Sequence, residues 1–268
     1  MNKRSLLVYY EFAKAAFLKI LAYRLRYFTG IITYFVNVSV YYFIWRAIYT
    51  SNPNVAGYDM AQIVTYVAVG WVIRSFYFNN VDREMATEVL EGKIAMNLIK
   101  PVDTQLMYVA QAVGESLFRA LMFTSPIALV IFLVYPVRPP ASTVAACLFP
   151  ISCLLALLVF TLLNFMIGTL ALQIQSIIGV IRAKYFIVEF TSGLLIPLSF
   201  FPEGLQRVLF FLPFPSISYT PLQIYLGKEQ GWALGRALGI QAFWVVALCL
   251  AGRLYWRFSA RRLSILGG

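Results

Sequence analysis

Histidine is absent from the 268 residues, and acidic residues are scarce, 11 Asp and Glu against 22 Lys and Arg. The missing imidazole removes the commonest general base and the commonest metal ligand from the chemistry open to this chain. Cysteine is nearly as thin. Cys147, Cys153 and Cys249 all fall inside apolar runs, and an odd number so placed gives neither a disulfide framework nor a metal site. No Gly-x-x-x-x-Gly-Lys-Ser/Thr phosphate loop occurs, so this polypeptide does not hold ATP in the usual cradle of backbone amides. A Gly-x-Ser-x-Gly elbow, a zinc-ligand spacing and a carboxylate cluster inside an apolar run are missing too, which argues against an enzyme.

What is present is apolar. Hydrophobic residues make up 61% of the chain, charged residues only 12%, and the mean hydropathy is +0.76. A soluble domain of this length has no interior large enough for so much apolar surface, whereas a membrane span consumes about 20 apolar residues. We expect an all-α polytopic membrane protein forming one transmembrane domain, with six spans near residues 28–48, 60–78, 117–135, 143–172, 185–200 and 238–255. The fourth run exceeds one crossing and is expected to continue past the bilayer as helix.

The net charge of +11 does not point to nucleic acid, because the basic residues gather at the ends of apolar runs. Lys and Arg concentrate in the N-terminal segment, in the 79–116 loop, at Arg182 and Lys184, and in the tail at Arg257, Arg261 and Arg262. By the positive-inside rule both termini are then cytoplasmic, and an even number of spans agrees.

Residues 1–27 resemble the start of a signal peptide, but Glu11, Lys14 and Lys19 interrupt the apolar stretch too early. An interfacial helix fits better. Lys3, Arg4, Glu11, Lys14, Lys19 and Arg26 gather on one side, with Leu6, Tyr9, Ala13, Ala16 and Ile20 opposite and Arg24 out of place. A frayed cytoplasmic tail is the alternative. Residues 201–237 break into short apolar pieces punctuated by Pro202, Pro213, Pro215 and Pro221, the pattern of re-entrant or interfacial segments.

Arg46, Arg74 and Glu189 fall within or beside spans, where ionisable groups usually face a bundle interior. Arg74 and Glu189 are expected at similar depth, so an ion pair between the second and fifth spans stands beside separate snorkelling to the headgroups. Pro126, Pro150 and Pro197 are expected to permit kinks within spans. Gly231, Gly235 and Gly239 recur every fourth residue and allow close helix contact, within the chain or between subunits. The aromatics of the first two spans suit interfacial belts, while Tyr34 and Tyr66 at mid-span also suit the lining of a path.

Six of the eleven acidic residues lie between Asp82 and Glu115, in the mixed-charge stretch between the second and third spans. Asp82, Glu84, Glu88 and Glu91 fall so that several share one helical face, leaving Met85, Val89 and Met96 to pack elsewhere. Gly92 and the Lys100-Pro101 step mark helix breaks. This predicts a short amphipathic helix with a glycine turn, a plug more than a tether.

The order of an amphipathic N-terminal helix, two spans, Glu-Gly-Lys-Ile-x-x-x-Leu-Ile-Lys-Pro-Val-Asp at Glu91 to Asp103, four more spans, and a proline-rich stretch before the last resembles the ABC-2 type permeases. These are the membrane subunits of bacterial ABC exporters. The resemblance implies a permease dimer, of identical or different chains, with two copies of a separate ATPase that binds ATP and Mg; this chain itself would hold no cofactor. It implies a coupling helix at Glu84, Glu88, Glu91, Gly92 and Pro101, and a substrate path near Tyr66, Phe76, Phe190 and Leu194. It implies a bacterial cytoplasmic membrane, and the aromatic lining suits a lipophilic or amphipathic substrate. A self-contained channel or secondary transporter is the other class, and a membrane-embedded transferase a third that lacks its polar constellation.

Overall fold

A computed structural model describes residues 3–22, 25–51, 54–174 and 176–261, with side chains described at 6–21 and throughout those ranges from 30 onward. The expected charges at Lys3, Arg4, Arg24, Arg26 and Arg262 lie outside the described side chains.

Helix α1 runs Lys3–Ala22 and α2 Leu25–Tyr49. A two-stranded antiparallel ribbon follows, β1 (Asn54–Val55) and β2 (Tyr58–Asp59). Ala56 and Gly57 at its tip both have positive φ, 48° and 81°, as a two-residue primed turn requires. Asp59 then starts α3 (Met60–Tyr77). Its carboxylate accepts from the Gln62 amide at 2.8 Å, and the Gln62 side chain accepts from the Asp59 amide at 3.2 Å. This reciprocal cap satisfies two amide donors that a helix start leaves unpaired.

Helix α4 (Val81–Leu90) and α5 (Ile94–Leu98) precede α6 (Thr104–Arg119), which passes through a π turn at Ala120–Thr124 into α7 (Ser125–Val134). The expected third span is therefore the second half of one helical run from Thr104 to Val134, and residues 104–116 are not loop. From sequence alone the span starts at residue 117, just past the charged Glu115 and with Arg119 inside it. They pair at 3.0 Å and are nearly buried, so the helix carries them without exposing either.

Helix α8 (Thr143–Thr169, extended by a 3₁₀ turn to Leu172) contains Pro150 and begins at a cap where Ser142 accepts from the Ala145 amide at 3.1 Å. Helix α9 (Ile178–Thr191) does not coincide with the expected span at 185–200. It is 14 residues long and ends where Gly193 takes φ +78°. Pro197 consequently lies outside any helix, just before a 3₁₀ turn at Leu198–Phe200, while Pro126 sits near the start of α7. Two short helices follow, α10 (Glu203–Phe210) and α11 (Tyr219–Tyr225), and then α12 (Trp232–Ala260), which starts six residues earlier than the sequence suggested. Among the described residues five helical segments are long and apolar enough to cross a membrane; α9 is not one of them.

Helix α3 sits at the centre, with Ile63, Tyr66, Val67 and Ala68 buried against α8 residues Leu157, Val159 and Phe160. Helix α12 packs along α8. There the buried Gln241 accepts from Ser152 at 2.8 Å and donates to the Ser216 carbonyl at 2.7 Å, bonds that hold helices together where lipid offers no competing partner. Helix α1 lies along α6 and turns Ala16 and Ile20 inward, with Tyr9 and Ala13 half-buried beside them, but Leu6 points out. A Cβ on Gly114 would run into the Ala13 backbone, which is why this face of α6 carries glycine. The Gly231 to Gly239 run makes no such approach: a Cβ on any of its three glycines meets nothing within 4 Å.

Candidate functional site

The mixed-charge stretch folds as α4, a turn at Gly92 with φ +70°, and α5. Met85 is fully buried against α8, and Asp82 is fully buried as well. Glu88 accepts from Asn97 of α5 at 2.7 Å and from the Tyr108 hydroxyl of α6. That carboxylate ties three helices into one body. Glu84 is half-buried and pairs with Lys19 of α1 at 3.3 Å. Partial burial acts to lower the Lys19 pKa, but the carboxylates around it, Glu84 first and then Glu115 and Glu88, together outweigh it and hold the ammonium above the usual lysine value. Glu91 is exposed and pairs with Lys93 at 2.6 Å, which raises the Lys93 pKa. Gly92 and Pro101 are exposed.

What this element shows to the outside is apolar. Leu90 (67% exposed), Met96 (60%) and Ile99 (74%) project from the end of α4 and from α5, flanked by exposed Arg83, Lys93 and Lys100. Sequence reasoning looked to the carboxylates for the docking face. Two of the four, Asp82 and Glu88, are turned into the molecule. The signal available in sequence was the apolar spacing of Leu90, Met96 and Ile99 around the glycine turn.

Asp82 reaches across to Lys184 of α9 at 2.6 Å, and the side chains are 0% and 7% exposed. The same ammonium donates to Asn164 of α8 at 2.7 Å. Asn164 donates in turn to Asn79 at 2.9 Å, and Asn79 to Thr161 at 2.9 Å. This closed polar network joins the α3–α4 junction, α8 and α9. From sequence alone Lys184 is a positive end-of-span charge, and no local pattern signals the network.

Five residues along α9 from Lys184, Glu189 pairs with Arg74 of α3. Arg74 also donates to the Tyr34 hydroxyl at 3.1 Å, and its guanidinium lies 4.8 Å from the Phe78 ring centre and 5.2 Å from that of Trp71. Arginine fits this cage because its planar group can pair in the plane and stack on its faces at once.

The four residues expected along a path are not brought together in one lining. Tyr66 is fully buried and donates its hydroxyl to the Gly193 carbonyl, and Leu194 is buried beside Gly70. Phe76 is half-buried, and Phe190 is 37% exposed with its ring parallel to that of Phe186 at 6.3 Å. Two cavities, of about 530 and 720 Å³, open between α1, α3, α4 and α6 and share Lys19, Asn80, Glu84 and Glu115. Among the described residues no group of three or more His, Cys, Asp or Glu is arranged to hold a metal ion.

A family model described as ABC-2 family transporter protein matches residues 35–267. No curated protein matches the chain.

Proposed function

Since the chain belongs to the ABC-2 transporter family, and so is a permease component of an ABC transporter, we propose that it serves an ATP-driven exporter of a bacterial cytoplasmic membrane. Two permease subunits, identical or different, work with two copies of a separate ATPase that binds ATP and Mg. The cargo is lipophilic or amphipathic. The short α9 and the broken stretch to Phe200 together form the fifth of six crossings, which leaves both termini in the cytoplasm.

The observation that carries this reading is the α4–α5 element. It combines a rigid base, with Glu88 bonded to Asn97 and Tyr108, and an exposed tip of Leu90, Met96 and Ile99. An apolar knob with basic flanks suits a cleft on a protein partner, and a base welded to α6 and α8 can pass on the push it receives. Gly92 sets the angle between the two helices, Glu91 and Pro101 border the tip, and Glu84 and Glu88 hold it in place. Phe76 and Phe190, reachable from the surface, are our candidates for contact with cargo between protomers; Tyr66 and Leu194 support them from behind. The Arg74–Glu189 pair keeps α3 and α9 in register as they move.

The test is affinity purification from mild-detergent membranes of the native host, comparing wild type with Met96→Asp/Ile99→Asp and with Glu88→Lys/Glu91→Lys. A nucleotide-binding subunit that accompanies wild type and is lost from the tip variant supports both the class and the docking face. If no ATPase appears even after cross-linking, the exporter reading fails and a self-contained channel or carrier takes its place.

A further inference from the structure

We propose that the cleft between α1, α3 and α6 binds the phosphate of a glycerophospholipid from the cytoplasmic leaflet, held by Arg119 and Lys19, with the lipid's apolar part along Tyr34, Phe78 and Phe123. The site is inside one protomer, and the exposed tip residues Leu90, Met96 and Ile99 do not line it.

Arg119 carries the argument. Its side chain is 7% exposed and lines the larger cavity, yet only one hydrogen bond leaves it, to Glu115 at 3.0 Å. A guanidinium has five N–H donors, and no other acceptor among the described residues takes the rest. The contrast with Arg74 is direct: the same cavity wall holds Arg74, whose donors go to Glu189 and Tyr34 and whose faces meet aromatic rings. Arg74 makes three donor bonds besides its ring contacts, and Arg119 makes one. A phosphate accepts from such a fork with two oxygens at once, which neither water nor a neutral ligand matches in strength.

The surroundings fit an amphiphile. Lys19 of α1 lines both cavities, and the smaller one also takes in the exposed charges of Glu91 and Lys93. The larger one is lined by Tyr34, Phe78 and Phe123, with Tyr34 edge-on to Phe123 at 5.6 Å between ring centres. Arg119 and Phe123 are four residues apart across the start of the π turn at Ala120–Thr124, so one wall presents the phosphate donor and the apolar floor together. Extra-residue turns of this kind recur at binding sites because they re-aim a short stretch of side chains. Outer residues of α1, Leu7, Tyr10 and Leu18, are exposed, as on a helix lying in the headgroup layer, which sets Lys19 and Arg119 at phosphate depth. Glu84 pairs with Lys19 and Glu115 with Arg119, which holds the two cations in place.

The purified full-length protein in detergent, titrated with phosphatidylglycerol and read by native mass spectrometry, tests this. Wild type is expected to retain one phosphatidylglycerol per chain under conditions that strip unbound lipid. Arg119→Gln is expected to weaken retention roughly tenfold, the loss of about one strong charge-assisted contact. Lys19→Glu, which sets a carboxylate beside Glu84, should weaken it several-fold, and Arg207→Gln on α10 should leave it unchanged. Equal retention by wild type, Arg119→Gln and Lys19→Glu overturns the proposal. So does equal retention of diacylglycerol, which lacks the phosphate. Displacement of the lipid by millimolar inorganic phosphate would make soluble phosphate the ligand and overturn the lipid assignment.

Discussion

Asp82 and Lys184 are 102 positions apart in the chain, and their charged atoms lie 2.6 Å apart with almost no exposure to solvent. Both are taken out of water, so each depends on the other. Removing one partner strands a buried charge, at about 3–5 kcal/mol, whereas replacing both with apolar groups of similar size is close to neutral. Lys184→Met is therefore expected to lower the thermal unfolding temperature in detergent sharply, and Asp82→Leu/Lys184→Met to recover most of the loss. Asn164 keeps its bond to Asn79 in the double variant, which limits what remains uncompensated. Unchanged unfolding of Lys184→Met would show that the pair does not hold α9.

For Arg74 and Glu189, either charge reversal alone, Arg74→Glu or Glu189→Arg, is expected to abolish transport into inverted vesicles. Combining them restores part of the activity, not all. A glutamate at position 74 regains the pair but cannot stack on Phe78 and Trp71 or donate to Tyr34. Absence of any recovery would separate the two residues functionally.

The tip and the base of the α4–α5 element should respond differently. Ile99→Asp replaces a side chain that is 74% exposed, so stability holds while ATPase association falls. Glu88→Gln weakens the bonds from Asn97 and Tyr108, so unfolding shifts first. Thermal unfolding and co-purification measured on the same samples distinguish the two.

Gly92→Ala isolates backbone strain. A Cβ there meets nothing within 4 Å, yet φ is +70°. The expected loss is about 1–2 kcal/mol with no steric contribution, and a Gly92→Asn variant, whose side chain tolerates that conformation better, should lose less.

Gly114→Leu should lift α1 from α6, because the added side chain occupies the place of the Ala13 backbone. Faster tryptic cleavage after Lys14 and Lys19, with the rest of the chain still folded, is the expected outcome.

Helices whose polarity changes sharply at their ends were legible in sequence. The spans expected at 60–78 and 143–172 agree closely with α3 and with α8 plus its 3₁₀ extension, since Asp59 and Ser142 mark their starts. The third span was begun too late because hydropathy counts Glu115 as exposed, and cannot know that Arg119, one turn on, neutralises it. The fifth was misplaced for the opposite reason: residues 185–200 are apolar enough, but Gly193 leaves the helical region and hands its carbonyl to Tyr66, 127 residues earlier. The site divides the same way. The glycine turn and the helix before it follow from local pattern. Which carboxylates turn inward depends on Lys184, Tyr108 and Asn97, partners that only the packed chain brings near.

The buried lysine also bears on how the protein is made. Synthesis runs from the N-terminus, and both residues that accept a hydrogen bond from the Lys184 ammonium, Asp82 and Asn164, precede it in the chain. When α9 leaves the ribosome its costly charge meets a receptor that already exists, so it need never wait unpaired in lipid. The order of the sequence thus acts as an assembly schedule. A version of this fold permuted to place α9 ahead of α4 would carry the same contacts and lack the timing that makes them reachable.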